Sequence, residues 1–241
     1  MATLNELIYD ILEDVKSNAI SDDLDIDERL IIYKLNIQRA LMLRNEYNKP
    51  GRNLDEFIIQ SLGCVEVEPA DSSDCEDFPA DCTILRTKCE LPKTMEFNSR
   101  TAITKVGPVD MLHYFFSFVP YHQAVFSGNG KFAKNVVYAF IRNKRMYFKV
   151  KGTVAKFLTR VNIMGIFEDP SAVANFCTTA GTACFSKDDP YPINDWMVPF
   201  VKEQVVRELV MSMQMPEDNS NDGESNEVGN VPRKVSNEKK G

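Results

Sequence analysis

The sequence lacks any apolar run near the roughly 20 residues that a membrane-spanning helix needs. Its first residues, Met1–Asp14, also lack the basic start and apolar stretch of a secretory signal. These absences predict a soluble protein that is made in a cytoplasm and has no membrane partner.

Histidine is scarce, and the short motifs of nucleotide-binding loops, serine hydrolases and zinc proteases are missing. A catalytic pair of a nucleophile and a histidine would have to use His113 or His122, the two histidines of the chain. Both lie in an aromatic segment, where a packed or surface role explains them better than a general base. A hydrolase is therefore the least favoured functional class, and we predict no catalytic residues and no enzyme.

The cysteines and carboxylates also lack the spacings that are typical of metal sites. The cysteines contain no C-x-x-C pair, and the paired carboxylates, such as Asp188-Asp189, lack the spacing of a calcium loop. Since a cytosolic origin favours free thiols, we predict reduced cysteines, no metal site and no cofactor. The six cysteines are Cys64, Cys75, Cys82, Cys89, Cys177 and Cys184.

Charge is present in quantity and is sorted along the chain. Residues 1–80 hold 18 acids and 7 bases, residues 81–160 hold 4 acids and 14 bases, and residues 161–241 hold 13 acids and 7 bases. Separate acidic and basic surfaces allow copies of one chain to dock head-to-tail, and such a contact closes into a ring when the rotation permits. The alternative is a fold that mixes these blocks in space.

Two helices are predicted at the start of the chain. Thr3 and Glu6 fit a capping box, and apolar residues then recur at spacings of three and four to Val15. A second helix is predicted from about Asp27 to Asn48, where Pro50-Gly51 ends it, with a wide apolar stripe. A short connection between them predicts a helical hairpin.

The middle of the chain alternates apolar and polar residues, which predicts an antiparallel β core. Arg142–Arg145 separates two strand-like runs and is typical of a hairpin turn. In the second run Met146, Phe148 and Val150 should face the core, while Tyr147 and Lys149 should face outward. The predicted strands lie at 62–68, 83–91, 101–106, 136–141, 146–150 and 160–167.

A long amphipathic helix is predicted after Asn194-Asp195, because Met197, Val201, Val205 and Leu209 recur every four residues. Pro216–Gly241 is too polar to offset the entropy of ordering, so it should be disordered or order only against a partner. We predict an α+β fold with one ring-forming domain, residues 1–215, and a polar tail, residues 216–241.

The basic hairpin is the candidate subunit interface. Its residues would meet the acidic surface of a neighbouring copy, and they are Arg142, Lys144, Arg145, Tyr147 and Lys149. The same basic segment, residues 131–160, interleaves cations with aromatics and could instead bind a nucleic acid. The sequence pI of about 5.0 argues against a general nucleic-acid binder.

Short stretches in order along nearly the whole chain resemble a virion structural protein of crAss-like tailed bacteriophages. Near the start they are Leu4–Ile8, Lys34–Ala40 and Arg44–Tyr47. In the middle they are Leu62–Glu68, Arg86–Lys88 and Phe97-Asn98. Towards the end they are Gly165–Pro170, Pro190–Ile193, Glu208-Leu209, Met215–Asp218 and Asn221-Asp222.

The resemblance implies a ring of the head-to-tail connector or tail barrel below the portal, located in the virion. Such rings are twelve-fold, contact the portal protein and adjacent tail rings, and pass DNA only as transiting genome. The sorted charge agrees with a closed ring, and the acidic balance agrees with a channel that does not hold DNA back. The sequence therefore predicts a structural connector, with a nucleic-acid-binding virion or accessory protein as the alternative.

Overall fold

The helices and strands described here come from a computed structural model. It describes residues 2–18, 26–51, 53–63, 65–70, 84–98, 100–110, 115–127, 136–150, 158–174, 176 and 186–214. Helices at both ends of this part of the chain surround a curled, largely antiparallel sheet, which confirms the predicted α+β class.

The first helix, α1, covers Leu4–Asn18 and starts at the predicted capping box. The Thr3 hydroxyl accepts a hydrogen bond from the Glu6 amide at 3.2 Å, and the Glu6 carboxylate accepts one from the Thr3 amide at 2.9 Å. Two backbone N–H groups without helical partners are thereby satisfied. The predicted apolar face is buried against the other helices through Leu4, Ile11 and Val15.

The second helix, α2, covers Glu28–Tyr47. Its N-cap is Asp27, whose carboxylate accepts a hydrogen bond from the Arg29 amide at 3.0 Å. Leu35 and Leu43 lie on its buried face.

The last helix, α5, covers Val198–Gln214 and follows a 3₁₀ turn at Asp195–Met197. The predicted row Met197, Val201, Val205 and Leu209 is buried. The helix packs against both α1 and α2, and the three share one apolar core. Ion pairs join α5 to each of them, from Lys202 to Asp14 on α1 at 3.0 Å and from Glu208 to Lys34 on α2 at 2.8 Å. The polar tail that was predicted beyond residue 215 lies outside the described residues.

The described strands follow the predicted runs but are shorter. They are β1 Gln60–Ser61, β2 Val65–Pro69, β3 Ile84–Thr87, β4 Glu96–Phe97, β5 Arg100–Thr101, β6 Ile103–Pro108, β7 Ser117–Phe118, β8 Tyr138–Arg142, β9 Arg145–Lys149 and β10 Arg160–Gly165. Short helices α3, Tyr121–Ala124, and α4, Pro170–Ala174, lie between strands. β4 and β5 form a separate hairpin.

The main sheet curls back on itself. β10 pairs with β6 along one edge, and with β1 and β2 along the other. From β2 the order continues through β3, β9 and β8 to β7. β7 pairs with β8 in parallel, and the other pairs are antiparallel. At the far end the Phe116 amide, next to β7, donates to the Val106 carbonyl of β6 at 2.7 Å. The curl encloses a second apolar core around Phe148, Val161 and Ile163.

A buried arginine joins the helices to the sheet. Arg39 of α2 is 0% exposed, and its guanidinium donates to the Pro192 carbonyl at 2.7 Å and the Phe167 carbonyl at 2.9 Å. The Arg39 guanidinium carbon also lies 5.7 Å from the ring centroid of Tyr191, whose hydroxyl donates to Asn36 at 2.7 Å. These contacts fix the 190–194 segment along α2, directly before α5 begins.

Candidate subunit interface

The hairpin that carries the candidate residues turns over two residues, Asn143 and Lys144. Both have left-handed backbone angles, with φ of 48° and 61°, as a tight hairpin turn with the twist of its strands requires. The Lys144 carbonyl accepts a hydrogen bond from the Leu91 amide at 2.7 Å. The tip of the hairpin is therefore held against the segment that follows β3.

Tyr147 lies on the face of β9 opposite Met146 and Phe148, as predicted, but it is 2% exposed. Its ring stacks on Phe140, with centroids 5.6 Å apart, beneath α3. Tyr147 therefore faces outward from the main core as predicted, but this outer face of the sheet is itself buried, because a short helix distant in sequence covers it. In the subunit the residue is part of a small core.

Arg142, Arg145 and Lys149 all have partners within the subunit. The Arg142 guanidinium donates to the Tyr121 hydroxyl and lies 4.5 Å from the centroid of that ring. Arg145 donates to the Thr87 carbonyl at 3.1 Å and the Lys88 carbonyl at 2.5 Å. The Lys149 ammonium donates to two carbonyls at the end of α3, both at 3.1 Å, which also suits the negative end of a helix.

Lys144 is the candidate residue that projects into solvent. Its side chain is 79% exposed, and its ammonium lies 3.8 Å from the Glu90 carboxylate, which is itself 58% exposed. The residue lies at the rim of a cleft of about 730 Å³. Both acidic and basic groups line this cleft, namely Arg44, Lys93, Lys144, Glu90, Glu96 and Glu168. A cleft of mixed charge fits another protein surface better than a polyanion.

The charge blocks of the sequence are partly combined in space. Glu66 pairs with Lys88 at 3.0 Å, and Glu68 pairs with Arg86 at 3.0 Å, so the acidic first third meets the basic middle third across β2 and β3. Glu168 of the last third pairs with Lys93 at 2.8 Å. The alternative left open by the sequence, a fold that mixes the blocks, therefore holds at these positions.

Two surface ion pairs, Glu66 with Lys88 and Lys202 with Asp14, shift the pKa of an ionisable group. The hydrogen bond and charge of Lys88 lower the pKa of the Glu66 carboxyl below its ordinary value. Partial burial acts to lower the pKa of Lys202, but the hydrogen bond with Asp14 and the charge of Asp10 outweigh it, and the pKa of Lys202 is raised. Both effects belong to structural ion pairs at the surface and mark no catalytic group.

The described residues contain no cluster of three or more histidine, cysteine or acidic side chains that would hold a metal ion. His122 is exposed on α3, and His113 lies outside the described part. Cys89 is disulfide-bonded, so the expectation of free thiols was wrong for this residue. The other cysteines lie outside the described residues. No helix in the described ranges has both the length and the apolar character to cross a bilayer.

Several large apolar side chains that sequence reasoning did not select are exposed. Tyr33 and Leu41 on α2 are 61% and 47% exposed. Trp196, in the 3₁₀ turn before α5, is 52% exposed, and Phe200, in the first turn of α5, is 53% exposed. For α2 the signal was present in the sequence, because its apolar stripe is wider than one buried face requires. Large exposed apolar groups on one helix face are typical of a surface that meets another protein.

Comparison with known proteins decides among the functional classes. The family model described as "Phage tail ring protein 2" matches residues 6–228. The chain belongs to this family. Ring protein 2 of Bacteroides phage crAss001 is a relative, 28% identical over 224 residues that span 91% of this chain and 95% of the relative. The tail ring family is a family of virion structural proteins, and the predicted resemblance to ring proteins of crAss-like phages is confirmed.

Proposed function

We propose that this tail ring protein forms one of the stacked rings of the head-to-tail connector, below the portal. Twelve copies would close around a channel through which genome and ejected cargo pass. Its work is assembly, by complementary faces and buried apolar contacts, and it has no catalytic activity. Its partners are further copies of itself, the portal protein and the adjacent tail rings, at the portal vertex of the virion.

The observation that carries this proposal is the family match over residues 6–228, almost the whole chain. The charge of the chain gives further support. A net charge of −7 suits a channel wall, because a strongly basic lumen would hold DNA during ejection. Exposed aromatic residues on α2 and α5 are what a subunit of an assembly shows before its neighbours are added.

DNA binding by residues 131–160 has less support. Arg142, Arg145 and Lys149 donate to acceptors within the subunit, which leaves less of their positive charge for phosphates. Residues 131–135 and 151–157 of this segment lie outside the described ranges. DNA affinity with a steep dependence on salt would favour this alternative.

Electron microscopy of the purified protein tests the proposed function directly. We expect closed rings of twelve subunits with a central opening, and the same ring between the portal and the tail in virions. A protein that stays monomeric at all concentrations, and that is absent from purified virions, would overturn the proposal. Open filaments would contradict the closed contact.

We further propose that the hairpin tip meets an acidic surface of a neighbouring subunit or ring. Lys144 contributes most to this contact, because it is the exposed member of the candidate set. Arg142 and Arg145 support the tip from within, through Tyr121 and the carbonyls after β3. Their replacement would disturb the fold as well as the contact, so Lys144 is the sharper probe.

Lys144→Glu should weaken assembly or docking while leaving the subunit folded. The reversal replaces an attraction by a repulsion at the rim of the contact, and we expect a several-fold slower association that depends on salt. Light scattering measures the assembled fraction. Lys105→Glu is the control, since it makes the same charge change at an exposed position on β6. Equal behaviour of the two variants would refute the role of the tip.

A further inference from the structure

The second helix has two apolar faces, and the subunit buries one of them. On the buried face, Ile31, Leu35 and Leu43 are at most 2% exposed. The outer face carries Leu30, Tyr33, Ile37 and Leu41, spaced by three and four residues, which places them in one stripe. A helix with apolar residues on opposite faces normally buries both faces. In the isolated subunit the outer stripe of α2 is not covered by another element of the described residues.

The stripe is well exposed. Leu30 is 43%, Tyr33 61% and Leu41 47% accessible, and Ile37 between them is half-buried. Its flanks are basic, because Arg29 lies one turn before Tyr33 and Arg44 lies two turns beyond Ile37. Arg29 is exposed, and the Arg44 side chain is 46% exposed with Glu168 3.8 Å away. The face therefore fits an acidic partner that also offers an apolar group.

The same chain offers a surface with that chemistry on α1. Tyr9 is 69% exposed on the outer face of the helix. Glu6 and Glu13 lie one turn on either side of it, and both are exposed. Lys16 is the one base of α1, against four acids. An acidic face with a central tyrosine thus complements a basic-flanked apolar stripe.

We propose that the outer face of α2 binds α1 of the next copy of this chain, so that these two helices form the contact between subunits around the ring. The proposal rests on the ring function proposed above. It deepens that function, because two different surfaces in contact make a head-to-tail interface, the kind that repeats around a closed ring. Tyr9 and Tyr33 lie at its centre, and Arg29, one turn from Tyr33, faces one of the two acids that lie one turn from Tyr9, Glu6 or Glu13.

The double variant Tyr33→Glu/Leu41→Glu tests the face. We expect it to remain folded, because both side chains are largely exposed, and to lose rings in favour of monomers by at least tenfold at equal concentration. Phe57→Glu is the control, since Phe57 is 65% exposed and lies in a 3₁₀ turn, Glu56–Ile58, outside both α1 and α2. Analytical ultracentrifugation gives the mass, and circular dichroism checks the fold.

Crosslinking identifies the occupant. With the photoreactive residue p-benzoylphenylalanine in place of Tyr33, irradiation of assembled rings should give a product of twice the 27.4 kDa chain mass. Mass spectrometry should locate the link in Leu4–Asn18 of the second copy. A dimer linked elsewhere, or intact rings without a crosslinked dimer, would overturn the assignment.

The two proposals fail in different ways. A wild-type protein that forms no rings under any condition removes the ring function, and the α2 contact with it. Rings that form in the wild type and equally in the Tyr33→Glu/Leu41→Glu variant remove the α2 contact alone. Loss of rings in Phe57→Glu to the same extent would also count against it, because the effect would then be unspecific.

Discussion

At the scale of single residues, Arg39 is the least expected feature of the molecule. A fully buried guanidinium is costly unless it is hydrogen-bonded, and here two backbone carbonyls serve as acceptors while its Nη2 atom has no hydrogen-bond partner. Burial lowers the pKa of Arg39, and the nearby Tyr191 and Asp169 act in the opposite direction. The cost of this burial is offset because one side chain ties α2 to two separate segments.

Arg39→Lys should therefore destabilise the subunit although it keeps the charge. A lysine ammonium lacks the planar fork that reaches the Pro192 and Phe167 carbonyls together, and the loss of one charged hydrogen bond costs about 1.5–3 kcal/mol. Urea unfolding at fixed protein concentration measures the change. Arg29→Lys, at an exposed site on the same helix, should change the free energy of unfolding by less than about 0.5 kcal/mol.

At the scale of secondary-structure elements, the junction of β10 with β6 depends on a glycine. The pairing shifts its register between Met164 and Gly165, and a Cβ at Gly165 would lie 2.8 Å from the Ala102 carbonyl oxygen. That backbone cannot move aside easily, because the same carbonyl accepts a hydrogen bond from the Ile166 amide at 3.0 Å. The bulge thus requires a residue without a side chain.

Gly165→Ala should lower the free energy of unfolding by about 1–3 kcal/mol, the range for forcing extra volume into a packed site. Thermal and urea unfolding would both report the loss. Gly51→Asn provides the contrast, since Gly51 has φ of 81° with open space around it, and asparagine tolerates that conformation. If Gly165→Ala proved as stable as the wild type, the close contact would have no energetic weight.

The elements that the sequence predicted correctly are those set by local chemistry. The Thr3–Glu6 capping box and the four-residue row on α5 depend on neighbours within one or two turns, and both are present. The parallel pairing of β7 with β8 and the burial of Tyr147 depend on contacts across many residues. Alternation places Tyr147 on the outer face, but it carries no information about α3 lying over that face.

At the scale of the whole molecule, the acidic and basic blocks of the sequence do not form separate acidic and basic surfaces at the positions where they pair. Several cations of the basic middle third form ion pairs with acids of the first third, as Lys88 does with Glu66. Within the acidic first third, α1 is acidic while the exposed charges of α2 are mostly basic. The charge contrast that bears on docking is therefore between α1 and α2. Counting charges along the sequence does not reveal it, because both helices lie in the acidic first third.

The curl of the main sheet limits how subunits join. The Phe116 amide beside β7 donates to the Val106 carbonyl of β6, so in the described part of the chain these two edges meet and are not open to an incoming strand at this point. Addition of a strand from another copy is thus discouraged at this edge. In the proposed ring, side chains on the helices would then set the angle between neighbours, and that angle would determine how many subunits complete a circle.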